Sequence, residues 1–163
     1  MTNSFRPTIL FLDDDVDTRE LVKITLEMSG IRVALAETRV ETWRIAQDLL
    51  FDLYLLDGKL PNGDSFQLCA DLKEYSPETP IVFYSGLVTK KDIQRGFDAG
   101  ASAYLKKPFL GDLAQEIRQL INCISLPQDN VGPEEMDDRS NVISFKSKES
   151  QDLYTLKPIE PTC

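Results

Sequence analysis

The sequence predicts an α/β domain in which helices cover both faces of a parallel sheet. Two observations carry this reading. Five short apolar runs alternate with five longer amphipathic stretches, the pattern of strands buried in the middle of such a domain. Glycine and proline then fall where elements should stop or start, at Gly30, Pro80 and Gly100.

The first strand is expected over 8–12 and is followed by three aspartates, Asp13 to Asp15. A helix is predicted over 17–29, where Leu21, Ile24, Thr25 and Met28 recur at helical spacing and are expected to pack in the core. A second strand over 32–36 and a helix over 39–48 lead to a third strand over 53–56 that ends at Asp57. The fourth unit pairs a helix over 64–75 with a strand over 81–84, the proline before it interrupting helix propagation without removing a central ladder bond. The last unit runs from a helix over 89–99 through a strand over 103–105 to a helix over 111–125. That final helix carries the stripe Leu113, Ile117, Leu120, Ile121 and Ile124, expected in the core and also able, if exposed, to support a homodimer.

From Leu126 the composition turns to Pro, Asp, Glu, Ser, Asn and Lys. The expected organisation is one domain over 1–126 and a mostly disordered tail over 127–163. Within the tail, Asn141 to Lys146, with Val142, Ile143 and Phe145, reads as plain linker or as a short binding motif.

Composition narrows the function. With 27 acids against 18 bases and a net charge of −9, the chain opposes nucleic-acid phosphates and anionic lipid, so neither is an expected partner. The absence of histidine removes His-based metal sites, Ser-His and Cys-His nucleophile pairs, and any role as a phosphohistidine donor. Cys69, Cys123 and Cys163 lack CxxC spacing, which points away from a zinc site or a disulfide framework and towards a reducing cytoplasm. The apolar run Ile9 to Leu12 is too short for a signal-peptide core or a membrane span.

The chemistry lies at strand ends. Parallel neighbouring strands would bring Asp13, Asp14 and Asp57 together at their carboxyl ends, the edge where ligands bind in open α/β sheets. Crowded carboxylates repel unless a cation sits among them, and a hard ion such as Mg²⁺ suits oxygen ligands. Asp15 or Asp17 is explained equally well as a cap of the first helix. The fourth strand delivers Ser85-Gly86, a hydroxyl and then a backbone open to close approach, and the fifth leads to Lys106-Lys107-Pro108, a cation for the same edge.

Taken together, Ile9-Leu10-Phe11-Leu12-Asp13-Asp14-Asp15, Leu56-Asp57-Gly58-Lys59-Leu60-Pro61-Asn62-Gly63, Tyr84-Ser85-Gly86, Gly100-Ala101-Ser102-Ala103-Tyr104 and Lys107-Pro108-Phe109 make a specific set. Over about 7–125 the chain resembles the receiver domain of two-component response regulators. The resemblance implies a doubly wound, flavodoxin-like sheet of five parallel strands in the order 2-1-3-4-5. It implies that Asp57 is the phospho-acceptor, with Mg²⁺ held by Asp13, Asp14, Asp57 and the backbone carbonyl of Lys59. Ser85 then contacts the phosphoryl oxygens, Lys107 neutralises them, and Tyr104 is the aromatic that turns inward as Ser85 moves. Lys106 is expected on the surface. Implied partners are a sensor histidine kinase or histidine phosphotransfer protein and a downstream effector, for a stand-alone receiver that switches partner binding and turns over no substrate.

Some residues depart from the family pattern. Gly63-Asp64-Ser65 stands where an Asp-Gly often follows the proline turn, and Lys59 and Leu87 occupy positions where such domains tune the lifetime of the phosphoryl group. A degenerate receiver acting as a phosphorylation-independent scaffold is the alternative, although every chemical group is retained. A haloacid-dehalogenase phosphatase does not fit, because Asp17 stands where its Asp-x-Asp-x-Thr pattern needs threonine. No Gly-rich loop follows the first strand, which disfavours a nucleotide-binding module.

Overall fold

The computed structural model describes residues 5–61, 64–86, 88–108, 112–125 and 153–155. Strands β1 (Thr8–Leu12), β2 (Arg32–Ala36), β3 (Leu53–Leu56), β4 (Ile81–Ser85) and β5 (Ala103–Lys106) alternate with helices α1 (Val16–Met28), α2 (Arg39–Asp48), α3 (Ser65–Tyr75), α4 (Lys90–Asp98) and α5 (Leu113–Ser125). The parallel strands lie in the order β2-β1-β3-β4-β5, as expected.

Alternation along each strand divides the core in two. Ile9, Phe11, Leu53, Leu55 and Val82 face Val22 and Leu26 of α1 and Leu113, Ile117 and Ile121 of α5. Leu10, Leu12, Tyr54, Leu56 and Phe83 face Ala46 of α2, Leu68 and Leu72 of α3, and Ile93 and Phe97 of α4. With both faces covered, β3 and β4 are buried at every residue, so a charged residue is costly there and the first one appears only after the strand has left the sheet.

Local capping explains the helix starts. Asp15 accepts from the amides of Asp17 and Thr18, Asp64 from those of Phe66 and Gln67, and Thr89 forms a reciprocal capping box with Asp92. The predicted starts of α1, α3 and α4 therefore differ from the observed ones by a single residue, with the cap now outside the helix in α3 and α4.

One expectation is corrected, and the sheet gains a strand. The α1 stripe does not enter the core: Leu21, Ile24 and Met28 are 67%, 57% and 85% exposed, while Val22 and Leu26 turn inward. The helix has two apolar faces, and its phase follows from the short, Asp15-capped connection after β1 and from the bond of Arg118 to the Ser29 carbonyl. The α5 stripe packs in the core as expected at Leu113, Ile117 and Ile121, which leaves no apolar face at those residues for a second copy. The five parallel strands stand as expected, and β6 (Leu153–Thr155) adds an antiparallel strand on β5. An edge strand carries unpaired amides and carbonyls that accept a further strand, whatever the composition around it. The rest of the tail, including the 141–146 segment, lies outside the described residues. Among the described residues no helix is long and apolar enough to cross a membrane.

The two faces of α1 make a direct test. Leu26→Ala should cost about 2–4 kcal/mol by opening a cavity, whereas Leu21→Ala should stay within about 0.5 kcal/mol. Urea denaturation midpoints read the difference, and the reverse ranking would put the Leu21 stripe back in the core.

Candidate functional site

The sheet register puts the acids side by side. Leu12 is opposite Leu56, so the residues that follow, Asp13 and Asp57, leave the sheet as neighbours. Their backbones continue the ladder, with the Asp57 amide donating to the Leu12 carbonyl at 2.8 Å and the Asp13 amide to the Ala36 carbonyl at 3.2 Å. Asp14 follows in the turn, and carboxylate oxygens of Asp13, Asp14 and Asp57 lie within 4.8 Å of one another. These three line a cleft of about 560 Å³ together with Ser85, Lys59 and Lys107.

Lys107 balances part of this charge. Its ammonium donates to Asp13 Oδ2 at 2.5 Å, lies 3.3 Å from Asp57 Oδ1, and sits 5.3 Å from the centre of the Tyr84 ring. The side chain can reach because the Lys107 amide donates to the Ser85 carbonyl at 2.8 Å, which carries the β5 backbone to the edge of the cleft. Lys106, one residue earlier, is exposed, as expected.

One cation does not suffice for Asp57. Its carboxyl is pushed up to about 6 in all: burial raises it most, Lys107 pulls it down, Asp13 raises it again, and the Lys59 amide, donating to Oδ1 at 3.2 Å, lowers it. A buried carboxyl held this high beside two other carboxylates is a site short of positive charge. That donor set, all oxygen and under-neutralised, fits a hard divalent cation.

On the other side of Asp57 the packing is tight around a hydroxyl pair. Ser85 is buried at the end of β4, and the Tyr104 hydroxyl, raised by burial and lowered by its bond to Ser85, lies against it. Gly58 passes so close that an added Cβ would stand 2.8 Å from the Tyr104 oxygen and 3.0 Å from Ser85 Oγ. Gly96 brings α4 equally close, with an added Cβ 3.0 Å from Phe83 and 3.2 Å from Tyr104. Tyr104 is stacked on Phe83 at 5.4 Å.

Two contributors went unread in the sequence. Arg19 donates to the Asp13 carbonyl at 2.6 Å and so anchors the acidic turn from one turn into α1. Gly58 is the other, and its signal was available as the lone glycine directly after the acceptor candidate. Leu87 and Phe109 lie outside the described residues.

A family model described as the response regulator receiver domain matches residues 9–122. The chain belongs to the receiver family of two-component response regulators. Among solved structures, a CheY-like receiver domain protein from Methanospirillum hungatei JF-1 superposes with a TM-score of 0.69 at 27% identity, covering 74% of this chain and 97% of that one. A two-component response regulator from Clostridium difficile gives 0.70 at 26%, covering 74% and 100%. Among curated relatives, the DNA-binding dual master transcriptional regulator RpaA of a Synechocystis strain is 36% identical over 71% of this chain and 49% of its own length. The KDP operon transcriptional regulatory protein KdpE of Escherichia coli K12 is 34% identical over 68% and 49%. The receiver thus spans about half the length of these relatives.

The buried Asp57 carboxyl has a measurable signature. At about 6 in the folded protein it lies above the ordinary aspartate value of 3.8, so the penalty for ionising it is complete above pH 6, shrinks between the two values and vanishes below the lower one. Without divalent cations, Asp57→Asn should therefore stabilise the receiver at pH 7 by roughly 2–3 kcal/mol. The gain should fade as pH drops towards 4 and shrink on adding Mg²⁺. Equal urea midpoints for both proteins at pH 7 would show that Asp57 carries no such penalty.

Proposed function

We propose that Asp57 accepts a phosphoryl group from a histidine kinase or histidine phosphotransfer protein, and that the receiver answers by changing the surface it offers to a downstream effector. The observation that carries this reading is the buried Asp57 carboxyl, under-neutralised, open to a cleft and flanked by two more carboxylates, a lysine and a hydroxyl.

In this reading Asp13, Asp14, Asp57 and the Lys59 carbonyl hold Mg²⁺. Once bound, the ion supplies charge neutralisation to an incoming phosphoryl group. An aspartyl carboxylate needs no general base, only a phosphoryl group held in line and shielded oxygens. At neutral pH Asp57 is mostly ionised and can attack the phosphorus directly, its O–P bond forming as the N–P bond of the donor's phosphohistidine breaks and the imidazole leaves. Lys107, already between Asp13 and Asp57, turns its ammonium to the transferred oxygens, and Ser85 donates its hydroxyl to one of them. The product is a switch more than a turnover catalyst, because the added charge sits where the Ser85 and Tyr104 hydroxyls meet.

A cytoplasmic setting accords with the buried free thiol of Cys69. The names of RpaA and KdpE describe DNA-binding and transcriptional proteins, of which this chain matches about half. The effector contacted by this receiver is, in our reading, a protein, given the net charge of −9.

Incubation with acetyl phosphate and Mg²⁺ should give a Phos-tag mobility shift in wild type and none in Asp57→Ala. A hydroxylamine-labile label retained by the variant would sink the assignment. Calorimetric titration should show weaker Mg²⁺ binding for Asp14→Ala, an exposed position whose loss leaves the buried Asp13–Lys107 pair intact. Binding equal to wild type would remove Asp14 from the metal site.

A further inference from the structure

The outer edge of β5 is occupied. Strand β6 lies antiparallel on it, with Leu105 opposite Leu153, Tyr104 opposite Tyr154 and Ala103 opposite Thr155. We propose that this edge is a strand-docking surface which the chain's own Leu153–Thr155 fills in cis, and that occupation of the acidic cleft tightens the docking. The second half rests on the phospho-acceptor reading above.

The chain can supply this strand to its own edge. Residues 126–152 separate the end of α5 from β6, which is 152 − 126 + 1 = 27 residues. At about 3.3 Å per residue that length can span about 90 Å, far more than the width of one domain. A tethered segment also competes at a local concentration of about millimolar, which favours it over a segment from another molecule. The ladder has three residue pairs, too few for independent stability, so it belongs to the parts of a fold that open locally at little cost. A small bias can therefore shift its population.

β5 is also the strand most directly tied to the cleft. Tyr104, paired with Tyr154, bonds through its hydroxyl to Ser85. Lys106 is opposite Ser85, and the Lys107 amide donates to the Ser85 carbonyl at 2.8 Å. Lys107 then reaches Asp57 at 3.3 Å. A group on Asp57 that accepts from Ser85 orders a chain of donors, Tyr104 to Ser85 to phosphoryl oxygen, and each bond in such a chain polarises the next. That chain holds Tyr104 inward and keeps β5 in the extended geometry on which β6 is laid. Linkage is reciprocal, so β6 in place must also favour the occupied cleft.

Hydrogen exchange on the full chain, at two protein concentrations and with or without Mg²⁺ and beryllofluoride as the phosphoryl mimic, tests this. Amides in 103–106 and 153–155 should be protected to the same degree at both concentrations, and their exchange should slow by roughly fivefold or more with beryllofluoride. A Leu153→Pro/Tyr154→Pro double variant removes a ladder donor whichever of the two residues faces β5. It should lose protection in 103–106 and bind beryllofluoride more weakly by the same factor. Fast exchange of 153–155 in wild type, protection that grows with protein concentration, or protection unchanged while 57–60 responds to beryllofluoride would each overturn the proposal. If 57–60 does not respond either, the phospho-acceptor reading fails and the coupling with it. The proline variant, measured without beryllofluoride, tells that failure from a failure of the docking.

Discussion

The burial of two aspartates side by side is the constraint on which the site depends. Asp13 and Asp57 emerge from adjacent parallel strands because Leu12 and Leu56 are in register, and both side chains are buried, which limits how far solvent can disperse their charge. Lys107 is placed between them, Arg19 braces the backbone of the first, and the Lys59 amide meets the second. What remains uncompensated suits the three carboxylates to a divalent cation.

Neutralisation on one side is joined to packing on the other. The hydroxyls of Ser85 and Tyr104 meet behind Asp57, and the absence of a side chain at Gly58 and Gly96 lets the backbone and α4 close over them. In so tight a space a new acceptor on Asp57 cannot be met by a diffuse adjustment, because close-packed groups shift between discrete arrangements. The strand that carries Tyr104 and leads into Lys107 is β5, so the sheet edge and the cleft share one strand.

Two surfaces show how far packing can overrule local pattern. In α1 a well-formed apolar stripe through Leu21, Ile24 and Met28 stays exposed, while the smaller pair Val22 and Leu26 reaches the core. At the far edge of the sheet, three residues in a polar tail acquire strand structure because β5 presents unpaired backbone groups to them. Both follow from the position of an element in the fold and not from its own composition.

The elements and the acidic site were legible in the sequence for definite reasons. Strands buried on both faces must be continuously apolar, which marks their bounds, and a charged residue can appear only where such a strand ends, which marks Asp13 and Asp57. The motif set around Ser85, Tyr104 and Lys107 added the strand order, which alternation alone leaves open. Helix phase, the Arg19 brace, the crowding at Gly58 and the pairing of β6 were not legible. Each depends on which atoms meet across long sequence separations, such as Tyr104 against Gly58 or Leu153 against Leu105. Burial and backbone chemistry are written locally, residue by residue, whereas register, helix rotation and edge pairing exist only once the chain has closed on itself.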